Sequence, residues 1–112
     1  MGKPGDGFAR VLQRYLDTVA LTRRPATVEV YRTAVEDFVR HLQATQNDAH
    51  CFSEVRRQHV ESWFRYLAQK QSRRGGPLRP ATKRRYLTKL RGFFEDIRDW
   101  GWDEGVRLRF AA

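Results

Sequence analysis

The side chains in this chain best suited to chemistry are cations gathered at a repeated phrase. Arg-Pro-Ala-Thr occurs at Arg24–Thr27 and again at Arg79–Thr82, an offset of 55 residues (82 minus 27). The likeness continues downstream, with Tyr31, Thr33, Val35, Phe38 and Val39 matched by Tyr86, Thr88, Leu90, Phe93 and Phe94. Proline suits the first turn of a helix, and threonine accepts a hydrogen bond from a free backbone N–H there, so Pro-Ala-Thr alone needs nothing beyond capping. The cations need more. A helix N-terminus carries about half a positive charge, and a cation beside it costs ~0.3–1 kcal/mol at low salt. Arg23 and Arg24 precede the first copy, Arg79 precedes the second, and Lys83, Arg84 and Arg85 fill its first turn. The acids that follow the second copy, Glu95, Asp96 and Asp99, lie far down the same segment, at the end that prefers cations. A bound anion removes the conflict, because helix dipole, free N–H groups and basic side chains then converge on it. The expected chemistry is phosphate binding.

The charge map supports a polyanion. The chain of 112 residues carries a formal net charge of +9. Nine basic residues (Lys70, Arg73, Arg74, Arg79, Lys83, Arg84, Arg85, Lys89 and Arg91) and no acid lie between Lys70 and Arg91. Elsewhere 22 minus 9, or 13, basic residues face 13 acids, so the whole net charge sits in one fifth of the chain. A solvated surface kept for solubility would spread its charge; clustering points to nucleic acid.

Other chemistry finds no support. His50 and Cys51 are adjacent rather than at ligand spacing, and there is no second cysteine for a metal site or a disulfide. The lone cysteine fits a reducing cytosol. The acids are scattered, which argues against a two-metal nuclease, and Arg73-Arg74-Gly75-Gly76-Pro77 lacks the Lys-Ser/Thr ending of a phosphate-binding loop. No apolar run reaches membrane-span length, the N-terminus lacks the apolar stretch of a signal peptide, and Asp6 stands where a myristoylation signal wants Ser or Thr. No cofactor, metal, membrane or small-molecule substrate is expected.

The elements that must position the cations are helices. The first is expected from Asp6 or Gly7 to just before Leu21, with Phe8, Val11, Leu12, Tyr15, Leu16 and Val19 on one face. The second runs from Pro25 or Thr27 to Thr45. The third is capped by Ser53 and carries Val60, Trp63, Phe64 and Leu67 inward. The fourth runs from Pro80 or Thr82 to Trp100, closed by Gly101 in a left-handed cap. Short connections predict a compact all-α bundle of two similar hairpins, helices one with two and three with four. Helical phase puts Arg85, Thr88, Lys89 and Gly92 on one flank of the fourth helix, and Arg84 and Arg91 opposite the core. Gly92 is expected to admit either another helix or a phosphate backbone. Tyr31, Tyr86 and Trp63 read as packing residues and His59 as a surface or packing residue. Trp100 and Trp102 are expected to pack the C-terminus or touch a partner protomer.

In this order and spacing, "TVEVYRTAVEDFVRHL", "VESWFRYLAQ" and "ATKRRYLTKLRGFFEDIRDWGW" resemble the N-terminal core-binding domain of tyrosine recombinases, the phage-integrase family. The likeness covers roughly Phe8 to Trp102, leaving residues 1–7 as an N-terminal arm and 103–112 as a tail or the start of an interdomain linker. It implies a four-helix SAM-like bundle of two crossed hairpins, with a short extra helix allowed, whose second and fourth helices face the DNA major groove. It also implies a cytoplasmic, nucleoid-associated protein of bacterial, archaeal or phage origin that binds a double-stranded recombination half-site and self-associates only on DNA. The family's catalytic series of arginines, His-x-x-Arg and tyrosine is not found: none of His41, His50 and His59 has arginine three residues on. The chain is therefore expected not to cleave DNA by itself. On this reading Arg24, Thr27, Arg79, Thr82 and Lys83 position phosphates. Arg85, Lys89 and Arg32 reach base edges, and Arg73 and Arg74 touch the backbone. The alternative is a standalone basic helical module that meets an acidic protein or RNA.

Overall fold

A computed structural model describes residues 6–45, 49–70 and 75–102. Helices α1 (Asp6–Val19), α2 (Pro25–Thr45), α3 (Arg57–Gln69) and α4 (Pro80–Trp100) follow one another, with a single 3₁₀ turn at Phe52–Glu54 before α3. The fold is an all-α, SAM-like bundle, and the 3₁₀ turn is its short extra helix.

Both repeated phrases start their helices by one device. Pro80 occupies the first helical position behind Arg79, whose backbone is extended as the residue before proline prefers. The amides of Thr82 and Lys83 both bond back to the Arg79 carbonyl (3.0 and 3.1 Å), as those of Thr27 and Val28 do to Arg24 (3.0 and 3.1 Å). The choice left open between proline and threonine is thus resolved: proline leads and threonine stands third. At the far end of α4, Gly101 adopts φ 70°. Its amide bonds to the Arg98 carbonyl (3.2 Å) and that of Trp102 to Ile97 (3.0 Å), the paired bonds of a Schellman closure.

The third helix departs from expectation at its start. Ser53 lies inside the 3₁₀ turn, and α3 begins at Arg57 with Arg56 as its N-cap. His59 supplies the side-chain partner, its Nδ1 accepting from the Arg56 amide at 2.8 Å. A cap read from residue type alone misses this, since histidine three residues into a helix is an uncommon acceptor for the cap amide. The cost of burying the imidazole is offset by the same bond. Phe64, expected inward, is 37% exposed, while Trp63 beside it is fully buried; adjacent helical residues point about 100° apart, and the core takes the larger one.

Aromatic rings join the elements edge to face. Phe52 of the 3₁₀ turn meets Phe8 of α1 (4.9 Å) and Phe93 of α4 (4.8 Å); Tyr15 of α1 meets Phe93 (4.8 Å), and Phe38 of α2 meets Trp63 of α3 (5.4 Å). These are the separations at which such pairs attract beyond their area of burial. The most extensive helix contact is between α2 and α4, with α1 and α3 each packed on α2. Gly92 eases it: a Cβ there would stand 3.3 Å from the Tyr31 hydroxyl oxygen, which would have to give by a few tenths of an ångström. Of the two partners open to Gly92, the neighbouring helix takes the place.

One buried charge is held in the core. Asp37 is 5% exposed and accepts from Trp63 Nε1 (2.8 Å) and from the Lys70 ammonium (2.7 Å). Burial alone would lower the Lys70 pKa, but the Asp37 hydrogen bond and charge outweigh it, so the ammonium is held above the ordinary lysine value. The Lys70 carbonyl also accepts from the Leu78 amide (3.3 Å), tying the two ends of the connection into α4.

Candidate nucleic-acid interface

Because α2 and α4 run side by side in the same sense, their repeated first turns meet. Between them opens a groove of about 430 Å³. Ala26, Thr27 and Val30 line it from α2; Ala81, Arg84, Arg85, Thr88 and Lys89 line it from α4. The α4 residues follow a spacing of three and four, one helical stripe. Lys89 Nζ stands 4.8 Å from the centroid of the Tyr31 ring, close enough for the ring face to hold the ammonium at the inner end of the groove.

The wider basic window divides by partner. Lys70 is committed to Asp37 and Arg91 Nε to Glu95 (2.8 Å). Among the described residues no carboxylate lies within ion-pair distance of Lys83, Arg84, Arg85 or Lys89. Cations without carboxylate partners at the positive end of a helix repel one another and the dipole, and an anion there would relieve both. The backbone contributes less than expected. Proline has no N–H and the threonine amide turns back on the arginine carbonyl, so in each first turn the alanine amide (Ala26, Ala81) remains for an anion. Attraction there rests on side chains and the dipole.

Of the residues singled out in the sequence, Thr27, Arg85 and Lys89 line the groove. Arg24 and Arg79 are exposed, one residue before each proline, and do not line it. Thr82 and Lys83 are half-buried in the first turn of α4, beside the groove rather than in it. Arg32 lies outside it, its Nε paired with Glu29 at 3.2 Å on the α2 surface. Arg73 and Arg74 lie outside the described residues, as do residues 1–5 and 103–112.

Arg84 is the lining cation that helical phase assigned to the side opposite the core. Both statements hold, because an exposed flank of α4 becomes a groove wall once α2 lies against it. Ala26, Val30 and Ala81 were not expected as lining, and Thr88 was placed on the flank of Arg85 and Lys89 without a role. The repeat itself was their signal: equivalent first turns meeting about a crossing bring equivalent alanines together. A second groove, between α1 and α2, is lined by Phe8, Leu12, Glu36, Val39 and Arg40. Its single arginine shares the lining with an acid, and no cations converge there. Among the described residues no group of three or more His, Cys, Asp or Glu side chains is placed to hold a metal ion, and no helix is long and apolar enough to cross a membrane.

Comparison with curated proteins and with solved structures returns no match. A family model, described as phage integrase, N-terminal SAM-like domain, matches residues 11–104. That span takes in α2, α3 and α4 whole and all but the first turns of α1. The domain it describes is the N-terminal one and not the catalytic one. With that match across most of its length, an all-α fold of the kind the family name describes, and a cationic groove between its two repeated helix starts, the chain belongs to the phage integrase N-terminal SAM-like domain family.

Proposed function

We propose that this chain binds duplex DNA as the core-binding half of a site-specific tyrosine recombinase, without cleaving it. The observation that carries the reading is the groove in which Arg84, Arg85 and Lys89 stand without carboxylate partners between two helix N-termini. Family membership gives the context of integration and recombination. Arg24, Thr27, Arg79, Thr82 and Lys83 hold backbone phosphates and set the orientation on the duplex, with Arg73 and Arg74 adding backbone contacts. Arg84, Arg85 and Lys89 enter the major groove, whose base edges present paired acceptors to such donors. Arg32 reaches a base only by giving up Glu29.

The test is the salt dependence of binding to duplex DNA. Engaging about five phosphates gives a log–log slope near −4 to −5. An affinity that barely changes between low and moderate salt overturns the proposal. So does a preference for polyglutamate or structured RNA over duplex in direct competition.

A further inference from the structure

A polyanion accounts for the cations of the groove but not for its floor. Beside the cations the lining is aliphatic, with Ala26 and Val30 of α2 and Ala81 of α4, together with Thr27 and Thr88. Ala26 and Ala81 are exposed and Val30 half-exposed, so this surface meets whatever enters. A phosphate set on these methyl groups gives up hydration and finds only the Ala26 and Ala81 amides to donate to it. A floor meant for backbone alone would carry donors throughout. On the major-groove edges of DNA the apolar group is the C5-methyl of thymine, and small aliphatic side chains are its usual contacts.

Resting on the DNA-binding reading above, we infer that Ala26, Val30 and Ala81 form a thymine-methyl subsite, flanked by Arg84, Arg85 and Lys89. The two helices come together at the Gly92–Tyr31 contact, and alanine at both helix starts keeps the space above the floor open. Phosphate contacts supply affinity, and the floor selects duplex steps that present a 5-methylpyrimidine. The same subsite disfavours uracil-bearing strands, so it separates DNA from RNA without reading the sugar.

The experiment compares the alternating dA–dT duplex with the alternating dA–dU duplex. The two carry the same phosphates and the same hydrogen-bonding base edges and differ by the methyl. The wild-type protein is expected to bind the thymine duplex tighter by about fourfold for each methyl contacted, with equal salt slopes on both. Val30→Ser, with helical content checked by circular dichroism, brings the ratio toward one. Equal wild-type affinities with a steep salt slope overturn the subsite and leave DNA binding standing. A preference undiminished in Val30→Ser belongs to duplex shape and also overturns the subsite. Failure to bind either duplex overturns both readings.

Discussion

The two copies of Arg-Pro-Ala-Thr begin their helices identically and then diverge in what they carry. Both place proline first and fold the threonine amide back onto the arginine carbonyl. Past that point the first copy continues Val28-Glu29-Val30 and the second Lys83-Arg84-Arg85. The first gives the groove Ala26 and Val30 of its apolar lining and has Arg32 paired with Glu29; the second gives Ala81 and all the lining cations. Ten residues past each threonine the copies differ again, Asp37 against Gly92. Asp37 anchors α2 to Trp63 and Lys70, and Gly92 clears room for Tyr31. A shared backbone start with divided side-chain duties puts attraction in one helix and shape in the other.

The largest effect expected is on binding. Reversing charge in the second copy, Arg84→Glu with Arg85→Glu, should weaken duplex binding at least about 100-fold at low salt, with helical content unchanged. Reversing Arg24 in the first copy should cost less than about tenfold by the same measure. Equal losses, read by fluorescence anisotropy, would erase the asymmetry between the copies. Next comes stability. Asp37→Ala leaves Trp63 Nε1 and a half-buried ammonium without their acceptor, and should lower unfolding free energy by about 2–3 kcal/mol in urea titration. Gly92→Val forces the crossing apart and should cost about 1–2 kcal/mol by overpacking; a variant as stable as wild type in thermal melts would show that the close approach is unnecessary. The smallest change is Glu29→Gln, which frees Arg32 and should tighten duplex binding by about two- to threefold, the scale of an exposed ion pair. No change would mean Arg32 stays away from DNA whatever its partner.

Local patterns in the sequence carried most of the architecture. Apolar spacing marked four helices, and Gly101 after Trp100 marked the last closure, because capping depends on neighbours in sequence. What stayed hidden was long-range. Nothing near Asp37 announces that Lys70, 33 residues on, returns to meet it. Nothing in the phase of Arg84 says that a second helix will turn its exposed flank into a wall. The Arg32–Glu29 pair was within reach at three residues' spacing, but charge arithmetic over a wide window averages such a pair away. Conversely, Lys70 and Arg91 swelled the basic window while each was committed to a carboxylate.

A small tilt of α4 about the contact between Gly92 and Tyr31 would be magnified at the helix start. The contact lies eleven residues from Ala81 along α4, about 16 Å of helix, so a tilt of about 5° there carries the first turn of α4 sideways by about 1.4 Å. That displacement is comparable to the difference between a good hydrogen bond and none. Residues that never touch a ligand, on the Tyr31 side of the crossing, therefore hold leverage over how far apart the two helix starts stand. On the proposed DNA-binding reading, changes of target preference would arise there, by adjusting the pitch of a lever rather than by exchanging the groups at its tip.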